Sequence, residues 1–151
     1  MTILYTSLIE IRSYNPCSSG WRDIYAAQCI RNLDKPFPLI DCLDSNPTLD
    51  VLWLLGMRKT EVSIAVETAQ RYVEHIEAHG VHKQPALSAY WEACKSHAKN
   101  AINYKSPFLR ADAAMDCVRL GHRMYVYTNQ NPELIAKQIL RAEILSYQSI
   151  Q

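Results

Sequence analysis

The sequence predicts an all-α protein, a single domain over 1–151 folded as a bundle of six or seven mostly antiparallel helices. Three observations predict it. Proline directly follows a capping residue at Asn46-Pro47, Ser106-Pro107 and Asn131-Pro132, and each pair opens a stretch whose apolar residues recur at spacings of three and four. No stretch alternates apolar and polar residues between hairpin turns, so no sheet is expected. The segments between the repeats are two to six residues long, which returns consecutive helices antiparallel to one another.

Taken in order, residues Ile3 to Tyr14 and Gly20 to Leu33 read as helices, separated by Asn15-Pro16-Cys17-Ser18-Ser19. Lys35-Pro36-Phe37-Pro38 reads as a turn, and Leu39 to Leu43 as one short helical turn. Asn46 is expected to cap the next helix, which carries Trp53 into the core. Between Thr60 and His79, Val62, Ala65, Val66, Ala69, Tyr72, Val73 and Ile76 share a face, and Gly80 follows where a left-handed residue stops a helix. Gln84-Pro85 is a weaker start, with an inward face of Leu87, Tyr90, Trp91, Cys94, Ala98, Ala101 and Ile102. From Pro107 the expected buried residues are Phe108, Ala111, Met115, Val118 and Tyr125. From Pro132 they are Leu134, Ile135, Ile139, Ala142 and Leu145.

The chain is 48% apolar over 151 residues, enough to bury a core without disulfide or metal staples. A net charge of +1 argues against a polyanion mimic and against a uniformly basic nucleic-acid module. The balance conceals an asymmetry: residues 1–79 hold seven basic and ten acidic groups, residues 80–151 nine basic and five acidic. A basic second half can orient a partner electrostatically. Pairs at spacing three, Glu92–Lys95 and Asp116–Arg119, are the ordinary helix-surface account of the same charges.

Five cysteines, Cys17, Cys29, Cys42, Cys94 and Cys117, form no CxxC pair and fit neither a zinc nor a disulfide framework. They are expected reduced, as small core residues, with Cys17 buried at a helix entry. The start MTILYTSLIEIRSY has no basic opening and carries Glu10 and Arg12, unlike a signal peptide. The apolar run from Val51 to Met57 is about one third of a membrane span. A soluble, cytoplasmic protein is expected.

Little in the sequence points to catalysis. His75, His79 and His82 are the metal candidates, since the first two lie one helical turn apart and the third can close from the loop. HExxH is absent, with Glu77 about 200° round the helix from His75, and histidine suits a helix C-terminus for electrostatic reasons alone. No GxSxG, GxGxxG or GxxxxGK[ST] occurs, and Asp41 and Asp44 read as solvated caps. Neither cofactor nor enzyme activity is expected. Among the aromatics, Trp21, Trp53, Tyr72, Tyr90 and Trp91 fall on core faces. Tyr125 and Tyr127 end a helix beside Arg119, His122 and Arg123. With Lys95 and Lys99 on the preceding helix, Arg119, Arg123, Tyr125 and Tyr127 form the candidate contact surface.

Two segments carry a resemblance: Ile11-Arg12-Ser13-Tyr14-Asn15-Pro16-Cys17-Ser18-Ser19-Gly20-Trp21, then Leu43-Asp44-Ser45-Asn46 leading to Asp50-Val51-Leu52-Trp53-Leu54-Leu55. With the helix bearing Ala65, Ala69 and Val73, they resemble, over about residues 8 to 80, a family of small helical phage and prophage accessory proteins of unassigned function. Beyond residue 80 the chain turns aromatic and basic and nothing carries over. The resemblance implies a helical scaffold over 1–80, a divergent half over 81–151 and a bacterial host cytoplasm. The expected function is that of a non-enzymatic accessory protein that blocks a host defence complex by steric occlusion, in the manner of an anti-CRISPR inhibitor. The alternatives are an immunity-like protein that neutralises a cognate toxin and a metal-dependent enzyme using His75, His79 and His82.

Overall fold

A computed structural model describes residues 2–28 and 32–150. Its helices are α1 (Leu8–Ser13), α2 (Ser18–Gln28), α3 (Cys42–Ser45), α4 (Thr48–Arg58), α5 (Val62–Ala78), α6 (Ser88–Asn103), α7 (Pro107–Met124) and α8 (Pro132–Ile150). The all-α bundle is therefore formed, with α1 and α3 contributing only short turns. The end of the expected helix to Leu33, with Cys29, lies partly outside the described residues.

Helix α7 is the axis of the fold, packing against α4, α5, α6 and α8. Its composition explains that position. Ala111, Ala113, Ala114, Cys117, Val118 and Gly121 are all buried, so small side chains on more than one face let neighbouring backbones come close. A methyl group added at Gly56 of α4 would lie 2.4 Å from Cβ of Ala111, and one at Gly121 would lie 2.3 Å from the Tyr72 ring of α5. Glycine at these crossings sets the helix separation.

Capping follows the sequence closely at three places. The Ser106 side chain accepts the Leu109 N–H at 3.5 Å, and Asn131 Oδ1 accepts the Leu134 N–H at 3.2 Å. Gly80, at φ 67°, is left-handed just past the end of α5. The Glu92–Lys95 and Asp116–Arg119 pairs also form.

Elsewhere the structure departs from expectation. Residues 3–7 do not extend the first helix: Tyr5–Thr6 (β1) pairs antiparallel with Phe37–Pro38 (β2), a two-residue ladder that the periodicity is too short to register. Asn46 does not cap α4, whose preceding residue is Pro47. Its amide instead donates to the Gly20 carbonyl at 2.9 Å and to Asp50 Oδ2 at 3.0 Å, tying α2 to α4. On α8 the buried apolar residues are Ala136, Leu140 and Ile144, with Ile135 and Ile139 at the margin. Leu134 and Leu145 are exposed, because apolar residues surround this helix too widely for spacing alone to pick a face. Phe108 and Ile102 flank the exposed α6–α7 turn rather than the core, and Tyr90 is likewise exposed. Cys17 is exposed, while Cys42, Cys94 and Cys117 are buried and free.

One polar cluster anchors the N-terminal segment to the bundle. Arg58 donates from Nη1 to the Tyr5 carbonyl at 2.8 Å and to Glu10 Oε1 at 3.0 Å, and from Nε to Glu61 Oε2 at 3.1 Å. Burial raises the Glu61 carboxyl, but bonds from Arg58 and Thr60 outweigh it and hold the group below its usual range. No helix among the described residues is long and apolar enough to cross a membrane.

Candidate partner-binding groove

The basic, aromatic half of the chain builds an open groove of about 660 Å³. One bank is the entry to α6, with Ala86, Leu87 and Tyr90. The other is the turn Tyr125–Tyr127 that follows α7, together with Arg123 and Pro132. This turn is a single 3-10 winding, so three consecutive side chains point in three directions. Tyr125 turns inward and is 2% exposed, whereas Val126 and Tyr127 are 69% and 66% exposed. Tyr125 thus acts as a wall: its ring stacks on Tyr72 at 6.2 Å, and burial raises its phenol to about 12.

Under the groove a chain of hydrogen bonds joins four helices. His122, at the end of α7, reaches Glu133 Oε2 of α8 through Nε2 at 3.0 Å. Its Nδ1 lies 2.8 Å from the Val118 carbonyl and 3.1 Å from the Tyr72 hydroxyl of α5. A carbonyl and a carboxylate only accept, so an imidazolium donates to both while a neutral ring serves one. Glu133 Oε1 in turn accepts from the Thr48 backbone at 2.7 Å and hydroxyl at 2.5 Å, which holds the start of α4. Burial raises the Glu133 carboxyl, but the bonds from His122 and Thr48 overcome it and hold it at about 2. Burial likewise pushes the Tyr72 phenol well above its ordinary value. Since Tyr72 is fully buried, the chain fixes the groove's floor rather than presenting a reactive group.

Three of the six contact residues anticipated from the sequence fall in the groove. Arg123, Tyr125 and Tyr127 line this groove, and Arg123 is exposed with no carboxylate in ion-pair contact among the described residues. Lys95, Lys99 and Arg119 are not part of its lining. Lys95 pairs with Glu92 at 2.9 Å and covers the Trp91 ring at 5.1 Å, and Arg119 pairs with Asp116. Sequence reasoning read Leu87 as inward, where it is buried, but missed Val126 and Pro132 as groove residues and read Tyr90 as core. The signal available for Val126 was its place between two tyrosines.

The three histidines do not converge. His75 and His79 stack with centroids 4.0 Å apart, and His79 Nδ1 bonds the His75 carbonyl, as at an ordinary helix end. His82 instead packs on Trp91 at 5.0 Å. Among the described residues no three His, Cys, Asp or Glu side chains are gathered to hold a metal ion. No family model, curated protein or solved structure matches the chain.

Proposed function

We propose that the protein acts by binding another protein, with the groove between α6 and the Tyr125–Tyr127 turn as the contact site. The observation that carries this reading is the exposed ledge of Tyr127, Val126 and Tyr90 beside the unpaired Arg123. Tyrosine and arginine dominate the energetics of protein interfaces, and a held floor spares the site the cost of ordering itself on binding. Arg123 suits a partner that presents a carboxylate between apolar groups. The resemblance over residues 8–80 to phage accessory proteins supports a host defence complex as that partner, blocked by occlusion in the bacterial cytoplasm, without catalysis or cofactor.

The test is phage plating on a bacterium with an active defence system, with and without the protein expressed. We expect wild-type protein to raise plaquing on a CRISPR-defended host, and the double variant Arg123→Glu, Tyr127→Ala to lose that effect at an unchanged melting temperature. Unaltered plaquing by wild type on every defended host would remove the defence reading. Rescue of cells from a co-encoded toxin in the same assay would replace it with an immunity role.

A further inference from the structure

A second concavity lies at the other, acidic half of the chain, where the segments 11–21 and 43–55 meet. It has a volume of about 250 Å³ and is walled by Ile11, Ile24, Val51, Trp53, Leu54 and Met115. An apolar cavity of roughly 150 Å³ is enough to hold benzene, and drug-sized ligands need about 300 Å³ or more, so this space suits one ring-sized group. Its polar groups are few and fixed. Asn46 is committed on both sides: its amide donates to the Gly20 carbonyl and to Asp50 Oδ2, and its Oδ1 accepts from the Ser45 hydroxyl at 2.7 Å. The Cys17 thiol, on the same lining, accepts the Gly20 N–H at 3.4 Å. The cavity's lone carboxylate is Asp50. It is half-buried, receives only the Asn46 bond on Oδ2, and has no cation in ion-pair contact among the described residues.

Asp50 lies in the first turn of α4, where the amides of the helix N-terminus favour its charge, but no cation pairs with it among the described residues, and a ligand that supplies one gains both the ion pair and the burial of its body. We propose that this cavity binds a small amphipathic cation, a free amine whose aromatic or alicyclic body fills the apolar space while its ammonium pairs with Asp50. Gly20 is part of the design. A methyl group there would meet Asp50 Oδ2 at 2.9 Å and the Cys17 sulfur at 3.2 Å, so glycine keeps the carboxylate and the thiol in place at the lining. The site is separate from the groove and does not depend on the partner-binding reading.

The experiment uses the whole protein and three probes: phenethylamine, its neutral counterpart 2-phenylethanol, and methylammonium. Binding is followed by amide chemical-shift titration and by the rate at which iodoacetamide alkylates Cys17, assigned by peptide mapping. We expect phenethylamine to saturate the shifts around the cavity and to slow Cys17 alkylation. The neutral alcohol should bind about tenfold more weakly or worse, the loss of a charge-assisted bond, and methylammonium should not protect Cys17. Asp50→Asn, which still accepts the Asn46 amide, should erase the preference for the amine. Equal binding of amine and alcohol to the wild-type protein would overturn the proposal, and so would the absence of saturable binding by either.

Discussion

The Glu133 carboxyl is the residue with the largest consequence for its size. It joins His122 at the end of α7 to Thr48 at the start of α4 and is held at about 2, below its ordinary 4.5. A depressed carboxyl stabilises the fold at pH values above the unfolded value and loses that contribution as pH falls toward the folded value. Stability should therefore drop between about pH 4.5 and 2, and Glu133→Gln should flatten that limb in urea titrations taken across the range. An unchanged acid limb in the variant would show that other carboxyls, such as Glu61, carry it. None of this was legible in the sequence. His122 and Glu133 were visible as individual residues, but Thr48 lies 85 positions from Glu133 and only the fold brings them together. Asn131 and Ser106 were legible because a cap bonds to its own chain three residues on. Asn46 was misread because its partner is across the fold, at Gly20.

At the scale of elements, the α4–α7 crossing is set by Gly56 against Ala111, whose side chain has no torsion with which to step aside. Gly56→Ala gains about 1 kcal/mol of helix propensity. Overpacking costs about 1–3 kcal/mol, and here two helices must part to relieve it. We expect a net loss, read as a melting temperature a few degrees lower, on the order of 2–4 °C per kcal/mol. Adding Ala111→Gly should restore most of it, and a double variant no better than the single one would mean that the crossing is not limited by this pair. Helix existence and the face of α5 were legible because its apolar stripe is narrow, and the middle of the α6 face was too, but Tyr90 and Ile102 towards its two ends are exposed. The face of α8 was not, since Leu134, Ile135, Ala136, Ile139, Leu140, Ile144 and Leu145 leave the choice to whichever neighbour packs there.

Across the whole molecule, the two halves separate in charge and in the concavities they build. The first half, acidic, supplies all but Met115 of the lining of a small apolar cavity around Asp50. The second, basic, opens a groove edged by Tyr90, Val126 and Tyr127. The charge division was visible in the sequence, and Arg123 and Tyr127 were among the residues it singled out. The groove itself was not, because Tyr90 and the Tyr125–Tyr127 turn meet only when α6 and α7 pack side by side. The central claim is that the groove is where another protein docks, and site-specific photo-crosslinking addresses it most directly. Benzoylphenylalanine is placed at Val126, exposed on the groove, and in a separate variant at Tyr104, exposed on the α6–α7 turn outside its lining. Irradiated in host cells, the protein labelled at Val126 should give a covalent adduct with one host protein, and the protein labelled at Tyr104 should not. An adduct formed from Tyr104 and none from Val126 would contradict the account.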